Sequence, residues 1–330
     1  MTACHVFVIG ATGTIGQATV RALVRLGHRV VCFVRPASGV GGKPGVADCA
    51  RLFLGAEVRV GNVTDPLSLA RDGFCGERFD VLVSCLASRT GVPQDAMAID
   101  YQAHLHALQA ARQAGVTHMV LLSAICVQKP RLAFQHAKLA FERELMVSGL
   151  TYSIVRPTAY FKSLSGQVDR VIKGKAFLVF GNGTLTACKP ISDDDLGDFM
   201  AGCLNDESRH NRVLPVGGPG PAITPRQQGE LLFALLGQAP RFKQVPVALL
   251  DRIITVLGWL VLVLPALAAK AELARIGRYY ATESMLVWDA DRGRFDAAAT
   301  PSHGTRTLSD HYRDLLSGAA SSERGDHAVF

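Results

Sequence analysis

The first 160 residues alternate short β-branched runs with stretches whose apolar residues recur every three or four positions. The runs His5–Ile9, Arg29–Val34, Glu57–Val60, Asp80–Leu86, His118–Ser123 and Thr151–Val155 predict strands. Between the first two, Ile15, Ala18, Ala22, Leu23 and Leu26 share one helical face, and Gly27 suits the left-handed cap that ends such a helix. The same spacing predicts helices over Ala96–Ala114 and Phe134–Val147. Apolar strands separated by helices imply βαβ units with right-handed crossovers. The expected fold class is α/β, a Rossmann-type doubly wound parallel sheet with a C-terminal substrate-binding cap.

After Pro157 the rhythm loosens. Phe177–Phe180 and Thr184–Lys189 flank Gly181-Asn182-Gly183 and predict a hairpin. Asp193, Asp194 and Asp195 suit the N-terminal dipole of a helix, Val213–Val216 reads as a strand, and Thr224-Pro225 opens another helix. A boundary near residue 160 separates a cofactor-binding core (1–160) from a substrate-binding region (161–330) expected to return in part to the core sheet. The run Ile253–Ala269 is nearly all apolar, with Trp259 near its middle. As one helix it would measure roughly 25 Å, short of a hydrocarbon core of about 30 Å, and Gly258 and Pro265 interrupt it. A buried cap helix over the substrate is expected, with a peripheral membrane contact left open.

Composition narrows the class. Apolar residues are 48% and charged residues 19% of the chain, which excludes disorder as the main architecture. The net charge of +7 is spread along the chain without a cationic run, so a small anionic ligand is expected and no nucleic acid. None of the eight cysteines forms a CxxC pair, no HExxH occurs, and His104 and His106 fall on different helix faces. No metal site is expected. No GxSxG elbow suggests a hydrolase. The N-terminus lacks the basic start and apolar run of a secretory signal, so a reduced, cytoplasmic protein is the default.

The strongest local signal is Gly10-Ala11-Thr12-Gly13-Thr14-Ile15-Gly16, between a strand and a helix. Gly10 permits the tight turn, Gly13 admits a pyrophosphate to the backbone, and Gly16 allows close helix–strand packing. The second strand ends in Arg35-Pro36-Ala37-Ser38 rather than an acidic residue. Arg35 suits a forked pair with a ribose 2′-phosphate, with Ser38 as a further donor, and NADPH is favoured. By position, Asn62 and Val63 would flank the adenine, and Cys85, Leu86 and Ala87 would line the cofactor crevice. Ser123, Lys138 and Pro157 follow at later sheet edges or on the next helix.

The segment containing Ser123 and Lys138 resembles the short-chain dehydrogenase/reductase superfamily, whose Tyr-x-x-x-Lys motif here reads Phe134-Gln135-His136-Ala137-Lys138. A phenyl ring donates no proton, so carbonyl–alcohol chemistry through a tyrosinate is not expected. LLSAICVQKP (121–130), FQHAKLAFE (134–142), YSIVRPTAYFKSLSGQV (152–168), LTACKPISDDDL (185–196) and KAELARIGRYYATESMLV (270–287) resemble the divinyl chlorophyllide 8-vinyl reductases. That resemblance implies NADPH-dependent reduction of an 8-vinyl group to ethyl on a tetrapyrrole, in chlorophyll and bacteriochlorophyll synthesis. It implies Lys138 and Tyr160 as catalytic candidates. Tyr160, Phe161, Trp259, Tyr279, Tyr280 and the Ile253–Ala269 run would line the ring, and Lys162, Arg275 or Arg278 would meet its carboxylates. The alternatives are an NADP-binding redox-sensing regulator without turnover and a reductase of isoflavone-type substrates.

Overall fold

Adjacent residues of the central strands face opposite layers. Val6 and Val8 pack with Ile15, Leu23 and Leu196, while Phe7 and Ile9 pack with Phe74, Ala107 and Phe141. Burial on both faces explains why these strands read as unbroken apolar runs. The computed structural model describes residues 3–36 and 51–319.

The main strands are β1 (His5–Ile9), β2 (Arg29–Val34), β3 (Glu57–Val60), β4 (Val81–Ser84), β5 (His118–Leu122), β6 (Thr151–Pro157), β7 (Phe177–Phe180), β8 (Arg212–Val216) and β9 (Phe242–Val245). Seven of them form one parallel sheet in the order β3-β2-β1-β4-β5-β6-β8. The order reverses between β1 and β4, which opens a crevice at their carboxyl ends. The main helices are α1 (Thr14–Arg25), α2 (His104–Gln113), α3 (Ala133–Met146), α4 (Asp193–Gly202), α5 (Pro225–Leu235), α6 (Val247–Val263), α7 (Ala268–Tyr280) and α8 (Leu308–Leu316). A π-helical turn, Met97–Ala103, leads into α2. Helices α1 and α4 pack closely: a Cβ at Gly197 would lie 2.6 Å from the Ala18 carbonyl carbon. Arg21 pairs with Asp194 at 2.6 Å, and Arg25 with Asp198, along the same seam.

Two expectations fail. A turn closes at Gly181–Gly183, with the Gly183 N–H donating to the Phe180 carbonyl at 3.0 Å, but no hairpin follows it. Instead β7 pairs in parallel with β9, because Phe177 and Val179 bury against Leu232 and Phe233 of α5. Residues after the turn leave that pairing, and Cys188 bridges to Ile223 and Met285. The run Ile253–Ala269 is not a buried cap helix either. It spans the end of α6, a bend at Pro265–Leu267 and the start of α7, and α6 has no fully buried residue. Among the described residues no helix is long and apolar enough to cross a membrane.

Candidate active site

Four segments meet at the carboxyl edge of the sheet: the glycine loop after β1 and the residues following β4, β5 and β6. Gly10 has φ +74°, and a Cβ there would lie 2.4 Å from the Cys85 carbonyl carbon and the Leu86 nitrogen. A Cβ on Gly16 would sit 2.2 Å from the Gly10 oxygen. These two glycines press loop, strand and helix together. Gly13 caps α1 without a side-chain acceptor, and a Cβ there would meet only the Gly10 oxygen, at 3.4 Å. The outer side of the loop is therefore open, with N–H groups of the first turn of α1 unclaimed by a side-chain cap. Those are the requirements for a diphosphate. Gln17 steadies the loop by donating to the Thr12 carbonyl at 3.0 Å, and Ile15 anchors it in the core.

Lys162 lies against this loop rather than in the cap: its Nζ donates to the Thr14 Oγ1 at 3.4 Å. Burial pushes the nearby Asp193 carboxyl up to about 6, with Lys162 opposing the shift, and its Oδ1 is buried without a partner among the described residues. Arg35 is exposed at the end of β2, whereas Ser38 lies outside the described residues. Asn62 uses its Oδ1 to accept from the Thr64 N–H at 3.1 Å and hydroxyl at 2.8 Å, and Val63 is buried. The Cys85 thiol points into the core beside Thr19, and burial pushes it up to about 12, so Cys85 meets the glycine loop through its backbone. Leu86 is half-buried and Ala87 exposed at the crevice.

Lys138 is held inward. Its Nζ is 3.0 Å from the Asp100 Oδ1, with side chains 11% and 0% exposed. The π turn presents Asp100 to the site, and the Ser88 N–H donates to the same Oδ1 at 3.2 Å. Asp100 Oδ2 is buried and has no hydrogen-bond partner among the described residues. One turn later, His104 contacts the Ser84 hydroxyl through Nε2 at 2.8 Å and the Ile99 carbonyl through Nδ1 at 2.9 Å. Burial, with Lys138 adding to it, pulls His104 down to about 4, which leaves it neutral. Ser123 turns away from the crevice and donates to Glu142, which also pairs with Arg156. His136 is exposed. Among the described residues no metal-binding cluster exists.

A mostly apolar cavity of about 330 Å³ opens past the end of β5, lined by residues that include Cys126, Pro157, Tyr160, Gln167, Tyr280 and Met285. The Tyr280 hydroxyl donates towards the Cys126 sulfur at 3.8 Å. Burial raises the Tyr160 and Tyr280 phenols well above their ordinary range, so both stay protonated. Glu283 lies at the cavity wall, paired with Lys129 at 2.7 Å and Arg131 at 3.0 Å.

The substrate residues expected from sequence fall elsewhere. Phe161 is in the hydrophobic cluster of the cap, and Tyr279 donates to the Cys126 carbonyl at 2.9 Å from behind the wall. Arg278 pairs with Asp251 at 2.9 Å, Arg275 with Glu272 at 3.0 Å, and Trp259 is 71% exposed. None of these lines the cavity; of the aromatic set, Tyr160 and Tyr280 do. Asp100 and Cys126 were not singled out by sequence. Asp100 carried a usable signal, an acid on the apolar face of a helix one turn before His104.

A family model described as NAD(P)H-binding matches residues 10–207. The divinyl chlorophyllide a 8-vinyl-reductase of Oryza sativa subsp. indica is 49% identical over 331 residues, covering 98% of this chain and 82% of its own. The Arabidopsis thaliana protein of the same name is 46% identical over 98% of this chain and 79% of its own. Among solved structures, the NADPH complex of the quinone oxidoreductase QOR2 from Escherichia coli has a TM-score of 0.67 at 18% identity, covering 94% of this chain and 99% of that one. The glycine loop, the parallel sheet and this near-full-length identity together place the chain in the divinyl chlorophyllide a 8-vinyl-reductase family, with an NAD(P)H-binding core.

Proposed function

We propose that this protein uses NADPH to reduce the 8-vinyl group of a divinyl chlorophyllide or protochlorophyllide to ethyl. The observation that carries the reading is the 46–49% identity, over nearly the whole chain, to enzymes named for that reaction. The cavity supports it. At about 330 Å³ it is near the lower end of ligand sites, so it takes the reacting edge of a broad flat ring. Residues 1–160 supply the cofactor-binding core, and 161–330 the substrate-binding region together with β8 of the core sheet.

When bound, NADPH supplies the hydride. The chain's own residues bind and orient. The glycine loop and the first turn of α1 would hold the diphosphate, Arg35 the 2′-phosphate, and Lys138 the ribose hydroxyls. Tyr160 would hold its phenolic proton towards the reacting carbon, and the apolar wall would exclude water from it. The phenyl group at Phe134 is compatible with this chemistry, because saturating a carbon–carbon bond protonates no alkoxide. The curated relatives are named chloroplastic.

The test is anaerobic incubation of purified protein with NADPH and divinyl chlorophyllide, followed by the shift of the Soret band. Stoichiometric NADPH oxidation and a monovinyl product are expected. A requirement for reduced ferredoxin or a flavin, or NADPH binding without turnover, overturns the proposal; the last result would favour a redox-sensing protein.

A further inference from the structure

Among the described residues, a contiguous group of exposed large apolar side chains gathers at the end of the α6–α7 hairpin. Leu262 is 81%, Val263 79% and Trp259 71% exposed, and Leu264 and Val256 are also open to solvent. No Asp, Glu, Lys or Arg occurs between Arg252 and Lys270. The two helices are antiparallel neighbours, tied near their roots by Arg278 and Asp251 at 2.9 Å. Their apex, Leu262–Leu267, therefore projects as a charge-free tip. Behind it stand the exposed cations Arg252 and Lys270, while Glu272 is buried against Arg275.

We propose that this hairpin docks on an anionic lipid bilayer, with its Leu262–Leu267 apex and Trp259 inserted and Arg252 and Lys270 at the headgroups. Three observations favour lipid as the occupant. From Trp259 to the apex the helix rises about 6–8 Å, the depth that interfacial helices reach. Along α6 the order from the tip is aliphatic apex, Trp259 and then Arg252, which matches the order of layers from acyl chain to headgroup, and Lys270, one turn from the apex on α7, reaches the same headgroup level by extending its side chain. A second copy of the chain packed symmetrically on the tip would bring the Lys270 ammonium groups of both copies near each other, which is repulsive. Neither helix needs to span, and neither is long enough to.

The hairpin also joins this surface to the cavity. Helix α7 begins at the tip with Ala268 and ends with Tyr280 in the cavity wall, a distance of about 20 Å. Docking at one end thus fixes the orientation of the wall at the other, and a poorly water-soluble pigment has a short route from lipid to site. The last point alone rests on the proposed function.

The test uses the full chain with Trp288→Phe, which leaves Trp259 as the single tryptophan of the two in the sequence. Co-flotation is measured with vesicles of phosphatidylcholine alone or mixed with phosphatidylglycerol. Binding to the anionic vesicles, a blue shift of Trp259 emission and quenching by brominated acyl chains are expected. Leu262→Asp/Val263→Asp alters exposed side chains only and should weaken binding by at least about tenfold. Arg252→Gln and Lys270→Gln should each weaken it by roughly fivefold and reduce its salt sensitivity. The inference is overturned if the protein ignores vesicles or if the double Asp variant binds as well as wild type. It is equally overturned if light scattering shows an oligomer that this variant dissolves. Activity on detergent-dispersed pigment, measured in parallel, fails only if the proposed reaction is wrong, so the two failures are distinguishable.

Discussion

Lys138 Nζ lies 3.0 Å from Asp100 Oδ1, and the pair is nearly closed to solvent. Phe134, where the related motif has tyrosine, stands one turn before Lys138 on α3. The usual partner of the lysine is thus absent, and a carboxylate delivered by a π turn holds the cation instead. A buried pair of this kind adds little net stability, but removing one member leaves an uncompensated charge.

This separates folding from catalysis. Lys138→Met should cost about 3–5 kcal/mol of stability, because Asp100 loses its counterion. It should also lower kcat by about a hundredfold if the cation positions ribose or proton relay. Adding Asp100→Asn to Lys138→Met should restore most of the stability and none of the activity. Urea unfolding and single-turnover NADPH oxidation read the two effects, and wild-type kcat in the double variant would refute a role for Lys138.

Arg35 is exposed, so removing it leaves the core intact. A charge-assisted contact with the 2′-phosphate is worth about 1.5–3 kcal/mol. Arg35→Ala should therefore weaken NADPH binding by roughly ten- to a hundredfold and leave NADH binding nearly unchanged. Calorimetric titration with both cofactors checks this, and equal losses would remove Arg35 from the phosphate site.

The sheet and the glycine loop were legible because each depends on short-range pattern: unbroken apolar runs for doubly buried strands, glycines where a Cβ cannot fit. The cavity was not, because its wall is assembled from residues as distant as Cys126, Gln167 and Tyr280. Tyr279 and Tyr280 look equivalent in sequence, and only the rotation of α7 sends the first behind the wall and the second into it. The run Ile253–Ala269 misled for a related reason. Apolar composition signals removal from water, and it does not say whether protein or something outside the chain provides the cover. Lys162 likewise carried a charge without a direction, and the short helix after β6 turns it to Thr14.

Asp193 makes stability depend on pH in a defined window. Its carboxyl is raised from 3.8 to about 6 by burial, so between those values the folded chain binds more protons than the unfolded chain. This group's contribution to stability therefore falls as pH rises from about 4 to 6, and the loss is complete above that. Asp193→Asn keeps the shape and removes the charge. It should raise stability at pH 8 by on the order of 1–3 kcal/mol, with little effect at pH 4. By relieving Lys162 of a neighbouring anion it should also tighten NADPH binding at pH 8. Urea titrations at the two pH values test the sign, and a gain confined to pH 4 would contradict it.

The two cavity phenols should differ in consequence. Tyr280 already donates towards Cys126 at 3.8 Å, whereas Tyr160 follows β6 directly and forms a backbone bridge with Ile191. That bridge fixes the chain that carries the Tyr160 phenol, as a proton donor requires. Tyr160→Phe should lower kcat by about a hundredfold or more while NADPH affinity changes little. Tyr280→Phe should lower it by less than about tenfold, through loosened packing at Cys126. Burial keeps the Tyr160 proton in place, so wild-type kcat should show no alkaline fall below about pH 10 from this group. The solvent deuterium effect on kcat should vanish in Tyr160→Phe if water then supplies the proton after a slowed hydride transfer. A reversed order of the two variants, with the isotope effect lost in Tyr280→Phe, would move the donor to α7.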